Sequence, residues 1–280
     1  MINRILVGLD GSKYSEIAAE YGIWLSKKLK RPVIGVHIID IRLLEGPFIE
    51  DVAGALGFTT YSDLTPKIKE ALEEKSKVIL DTFAKECREK GGDCSIAQAY
   101  GIVDKELTEM ADPDDLIIIG KKGHHPDIVG LFLGSTAEKV ARNSKCPVMI
   151  TTDFFREIKS IILFFDGREK SIHAAKYTNS LAKGLNINKI HVVSVLEEDS
   201  VERRKHIKDL LDTYLETEYD VDFPIGYPEE VIEVLLEGNK DKYDLAVMGA
   251  FGESRVKELI LGSTTSYIMR KSPIPLLLVK

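Results

Sequence analysis

Apolar residues recur along this chain in short solid runs separated by stretches where they return every three or four positions. The first run is a strand over residues 3–9, and Ile17, Tyr21 and Leu25 then fall at four-residue spacing, which predicts a helix with one apolar face. Val33 to Ile39 is a second β-rich run. Residues 40–65 carry Gly46-Pro47, Gly54 and Gly57 among apolar side chains and read as a long loop or lid. Ile68, Leu72, Ile79 and Phe83 mark one face of a charged helix ending at Gly91-Gly92. A strand near Cys94 to Ala99, a helix from about Asp104, a strand over 116–119, a helix from Ser135 and a strand over 147–151 follow. Strands alternating with helices predict a parallel sheet covered on both faces.

The pattern then repeats. Ile5 to Gly11 has a counterpart in Ile161 to Gly167, both apolar runs ending in Asp-Gly. Asp115 to Gly120 matches Asp244 to Gly249, Gly134-Ser135-Thr136 matches Gly262-Ser263-Thr264, and Arg142, Ser144 and Pro147 match Arg270, Ser272 and Pro275. The chain is therefore predicted to be two α/β units, residues 1–152 and 157–280, each a small doubly wound domain. In the second unit Val201 to Glu216, with Ile207, Leu210, Leu211 and Tyr214 on one face, follows its second strand almost directly, so that unit lacks the lid.

Composition narrows the function. With 44% hydrophobic and 30% charged residues, the chain has a globular make-up. Its 38 basic and 45 acidic residues give a net charge of -7, which argues against a broad surface for nucleic acid or anionic membrane. No apolar run approaches the ~20 residues that span a bilayer, and the first strand begins too early for a signal peptide, so a cytoplasmic protein is expected. Cys87, Cys94 and Cys146 lack metal-ligand spacing and are expected to be reduced, structural thiols.

In open α/β sheets, ligands bind beyond the carboxyl ends of the strands where strand order reverses. After its fourth strand the second unit reads Gly249-x2-Gly252-x9-Gly262-Ser263-Thr264-Thr265. Glycines allow close backbone approach, and a helix opening on hydroxyls offers free amides and the positive end of its dipole, a suitable cradle for phosphate. P-loop and Gly-x-Gly-x-x-Gly patterns are absent. This spacing resembles that of the universal stress protein family, whose ATP-binding members carry Gly-x2-Gly-x9-Gly-Ser/Thr there. The resemblance extends over both halves and includes the Asp-Gly after strand one, His37-Ile38 and the proline before the closing strand. It implies a tandem universal stress protein that binds ATP, with Mg or Mn on the phosphates. Adenosine would lie at Asp10 and Ile38, beside the small Gly8, or at Asp166 and Val195. Phosphates would lie at Gly120, Gly123, Gly134, Ser135 and Thr136, or at Gly249, Gly252, Gly262, Ser263, Thr264 and Thr265. In the family the closing strands pair across a dimer axis, which implies an intramolecular pseudo-dimer here, with further homodimerisation left open.

Each unit departs from the pattern differently. The first has ten residues rather than nine between Gly123 and Gly134, including His124 and His125, and Ala137 where the second has Thr265. The second has Phe164 in place of a small residue and Arg168 in place of serine. Phe164 either fills the adenine pocket or points into the core; Arg168 could reach a phosphate. At least one unit is expected to bind ATP, with the first favoured for its lid. No Ser/His/Asp or Cys/His order supports a triad, so a sensor with little or no catalysis is expected. A nucleotide-free interaction protein and a slow ATPase are the alternatives.

Overall fold

The computed structural model describes residues 2–44, 61–123, 134–250 and 263–280. In the first half β1 (Ile5–Gly8), β2 (Val33–Asp40), β3 (Cys94–Gly101), β4 (Leu116–Gly120) and β5 (Val148–Thr151) alternate with α1 (Lys13–Leu29), α2 (Tyr61–Glu89), α3 (Val103–Glu109) and α4 (Ser135–Asn143). The second half repeats this with β6 (Ile161–Phe164), β7 (Lys189–Val193), β8 (Glu218–Asp222), β9 (Leu245–Gly249) and β10 (Leu276–Val279). Its helices are α5 (Glu169–Leu185), α6 (Val201–Tyr214), α7 (Pro228–Gly238) and α8 (Ser263–Lys271).

All ten strands form one sheet, in the order β3-β2-β1-β4-β5-β10-β9-β6-β7-β8. Each half is parallel within itself, and the halves join where β5 and β10 run antiparallel, with Ile150 opposite Leu276 and Val148 opposite Leu278. These strands would otherwise be exposed edges, so pairing them satisfies both rows of backbone groups. The strand pattern dictates the layers. Ile5 and Val7 point to the face covered by α1, α2, α5 and α6, while Leu6 points to the face covered by α3, α4, α7 and α8. Both apolar layers run unbroken through both halves.

The short connection between the halves is pinned rather than loose. Phe155 meets the Tyr21 ring edge-on with centroids 4.8 Å apart, and the Arg156 amide donates to Tyr21 Oη at 3.1 Å. The matched aspartates at the starts of β4 and β9 also have structural roles. Asp115 accepts from Arg4 Nη2 at 2.6 Å, and Asp244 accepts from the amides of Lys159 and Ser160 at 2.9 and 3.0 Å.

Two expectations are corrected. Helix α2 starts at Tyr61, so the segment read as irregular through residue 65 is already helical at its end, despite Pro66. Ile41–Leu43 forms a 3₁₀ turn capped by Asp40, and the rest of the lid segment, 45–60, lies outside the described residues. Cys87 and Cys94, expected to be reduced, are joined in a disulfide. Gly91, at φ +73°, turns the chain back after α2 and brings the helix end beside the start of β3, with the two Cα atoms 6.2 Å apart. Cys146 is free and buried.

Candidate functional site

Strand order reverses between β1 and β4 in the first half and between β6 and β9 in the second, so the carboxyl ends of these strands are where an open α/β sheet places its ligand crevice in each half. In the first half the crevice begins with the turn Asp10-Gly11-Ser12. Asp10 Oδ1 accepts from the Ser12 amide at 2.9 Å, Gly11 sits at φ +79°, and Ser12 Oγ caps α1 by accepting from the Ser15 amide at 3.2 Å. Buried His37, three residues before the end of β2, lies with Nδ1 2.7 Å from the Leu9 carbonyl oxygen and ties this turn to β2. Burial pushes its pKa below the usual histidine value, which keeps the ring neutral near pH 7.

The structure brings the predicted residues of the first half close together. A Cβ on Gly123 would stand 3.0 Å from Asp10 Oδ2, so the motif's second glycine faces the aspartate of the first turn. The Gly134 amide donates to the Lys121 carbonyl at 2.9 Å, which places the start of α4 directly over the end of β4. Ser135 and Thr136 are exposed there, while Ala137 is buried in the core. Ile38 is buried on β2. Gly8 is small for a packing reason, since a Cβ would come within 3.0 Å of Ile119 and 3.2 Å of Leu107. His124 and His125 lie outside the described residues.

In the second half a cleft of about 690 Å³ opens at the reversal point, and Asp166, Val195, Gly249, Thr264 and Thr265 all line it. Its floor is the cross-strand row Phe164, Val193 and Met248, which the sheet register places side by side. Phe164 is therefore both a core residue and the floor of the cleft, so the two readings of its ring are not exclusive. The equivalent row in the first half is Gly8, Val36 and Ile119, so the repeat differs here by an entire aromatic ring. The turn is the same as in the first half. Asp166 Oδ1 accepts from the Arg168 amide at 2.9 Å, and Gly167 sits at φ +78°. Arg168 supplies no side-chain cap to α5 and stays exposed at the rim.

Gly120 and Gly249 have a structural reason that sequence reasoning missed. A Cβ on Gly120 would lie 2.8 Å from the Tyr14 carbonyl carbon, and one on Gly249 would lie 2.6 Å from that of Lys170. Each lets the first turn of α1 or α5 rest on the end of the neighbouring strand. Gly252 and Gly262 lie outside the described residues, and Ser263 opens α8. Arg203 was also missed. It donates to the Asp166 carbonyl at 2.6 Å from α6, whose start is fixed by the Ser200 cap, and it joins Arg168 and Lys170 along the cleft. A Ser-x-x-Arg helix start after the second strand was the available signal. Glu229, opening α7, accepts from Thr264 Oγ1 at 2.7 Å.

Among the described residues, no group of three or more His, Cys, Asp or Glu side chains is arranged to hold a metal ion, and no helix is long and apolar enough to cross a membrane. A sequence model of the universal stress protein family matches residues 1–152 and 225–280. The unmatched stretch contains Phe164 and Arg168. Universal stress protein Slr1230 from Synechocystis is 27% identical over 99% of both chains. Universal stress protein MJ0531 from Methanocaldococcus jannaschii is 27% identical over 54% of this chain and 82% of its own. In fold, a universal stress protein from Archaeoglobus fulgidus superposes with a TM-score of 0.76 at 22% identity, covering 99% of this chain and 98% of that one.

Proposed function

Because the chain belongs to the universal stress protein family, we propose that it is a tandem adenine-nucleotide-binding regulatory protein, with units 1–152 and 157–280, whose crevices take ATP with Mg or Mn on its phosphates. The observation that carries the reading is the cleft of about 690 Å³ in the second half, because three residues of the glycine motif, Gly249, Thr264 and Thr265, line it together with Asp166 and Val195, which the family resemblance assigns to the adenosine end. In this reading the base lies against Phe164, Val193 and Val195, the phosphates face the start of α8 at Thr264 and Thr265, and Arg168 and Arg203 supply cationic contacts. The balance of preference thus moves from the first unit to the second. Asp10 and Asp166 each use a carboxylate oxygen to hold a turn, which suits a binding module better than a catalyst.

A second reading, a nucleotide-free interaction protein, is favoured by the Thr264–Glu229 hydrogen bond, which sets a carboxylate beside the helix start that would receive phosphate. Equilibrium binding of labelled ATP to the full chain in excess magnesium separates the two. Saturable binding, with nucleotide retained in native mass spectrometry, supports the first reading. No binding at millimolar nucleotide overturns it.

A further inference from the structure

The helices that start at the Gly-Ser-Thr segments, α4 and α8, are tied to one another across the seam by side chains from opposite halves. Lys121 of the first half donates from Nζ to the Ser272 carbonyl at 3.0 Å, just past the last turn of α8. Lys280 of the second half donates from Nζ to the Arg142 carbonyl at 2.9 Å, in the last turn of α4. The last carbonyls of a helix have no partner within it and carry the negative end of its dipole, so a cation placed there both satisfies and stabilises them. Between the two helices Glu138 of α4 is shared, 3.1 Å from Arg142 of its own helix and 3.5 Å from Arg270 of α8.

Lys121 also faces the other way. It follows Gly120 directly, and its carbonyl accepts the Gly134 amide at 2.9 Å, fixing where α4 begins. One residue thus holds the start of the first half's motif helix through its backbone and the end of the second half's motif helix through its ammonium group. Burial against the seam lowers the Lys121 pKa, so losing its acceptor would leave a desolvated charge.

We propose that the two crevices are coupled through this seam: α4 and α8 move as one unit, so a ligand that orders the start of one helix makes binding at the start of the other tighter. This rests on the reading of the crevices as nucleotide sites. The energetic logic is that the first ligand meets the ordering cost of both helices and the second meets less of it, giving positive coupling.

The test uses the full chain, with MgATP as probe, and compares wild type, Lys121→Met and Arg270→Ala. Without nucleotide, amide hydrogen exchange is followed at residues 268–272 and at 134–138. Coupling predicts that Lys121→Met speeds exchange several-fold at both sites, and that Arg270→Ala, a milder change at the rim, speeds it at 134–138 in the other half. A response confined to the α8 end in Lys121→Met, with no change at 134–138 in either variant, overturns the mechanical link. With nucleotide, calorimetry is expected to give two equivalents in wild type, the second about fivefold tighter or more once statistical factors are removed, and two independent equivalents in Lys121→Met. Two independent equivalents in wild type overturn the coupling and leave the site reading intact, while one equivalent overturns the coupling and confines the site reading to a single crevice. No binding at millimolar MgATP overturns the site reading and the ligand coupling with it, while the exchange data separately decide whether the helices are linked.

Discussion

Gly249 rests so closely on Lys170 that an added methyl group would stand 2.6 Å from the Lys170 carbonyl carbon and 2.7 Å from its oxygen. Neither atom can yield without shifting the first turn of α5. Gly249→Ala is therefore expected to cost about 1–3 kcal/mol in urea unfolding, the usual range for overpacking against a fixed neighbour. Gly120→Ala should cost a similar amount through Tyr14. Gly238→Ala, where an added Cβ meets nothing within 4 Å, is the control and should leave stability unchanged or slightly raised. Equal stability of all three variants would remove the packing account of the paired glycines.

Arg203 and Phe164 line the same cleft with opposite consequences. Arg203→Ala removes an exposed cation whose guanidinium holds the Asp166 carbonyl, and should weaken MgATP binding roughly 10-fold while changing stability by less than about 1 kcal/mol. Phe164→Ala deletes a buried ring from the floor and should cost about 3 kcal/mol in stability. Parallel titrations and melts of the two variants check both. Arg203→Ala binding as tightly as wild type would place the phosphates elsewhere.

How much of this was legible depends on what kind of interaction wrote each residue. The alternation of Ile5, Leu6 and Val7 between two core layers is local and periodic, so the strand, the parallel sheet and the repeat could be read directly. The Asp-Gly turns were visible for the same reason, since Gly11 and Gly167 need positive φ. The reason for Gly120 and Gly249 was not readable, because it is a contact with a helix more than 70 residues away in sequence. The seam was legible as strand pairing, but Lys121 carries no motif, and its acceptor, Ser272, lies 151 positions downstream. The start of α2 was missed because Gly46-Pro47, Gly54 and Gly57 speak for irregular chain and no capping pattern was read near residue 61 to end it.

The thiols give a simple chemical check. With Cys87 and Cys94 bonded and Cys146 buried, the native, unreduced protein should show no thiol reactive toward an aromatic disulfide reagent, and one after unfolding without reductant. Peptide mapping should find residues 87 and 94 linked. Cys94→Ser should cost about 2–3 kcal/mol under oxidising conditions, the loop-closure value for so short a ring, and nothing beyond the side-chain change under reducing ones. Three titratable thiols in the unfolded, unreduced protein would mean that the pair is reduced.

Alkaline stability follows from the two lysines at the seam. Burial lowers Lys121 to about 8 and Lys280 to about 7, against 10.5 for an unconstrained lysine. In each case the folded state gives up its proton at lower pH than the unfolded state does. Between roughly pH 7 and 10 the unfolded chain therefore binds more protons, and stability rises with pH as the cost of burying two ammonium groups is relieved. Below about pH 6 both lysines are charged in both states and the penalty is present in full. Lys121→Met has no proton to lose, so wild type should gain stability relative to that variant between pH 7 and 10, with the steepest change starting near pH 8. Urea unfolding of both proteins at pH 6, 7, 8, 9 and 10 measures this difference directly. Taking the difference cancels the tyrosines that titrate at the alkaline end, including Tyr21, which burial raises to about 12. A difference that stays flat, or falls as pH rises, would mean that Lys121 is as well solvated in the folded protein as in the unfolded chain.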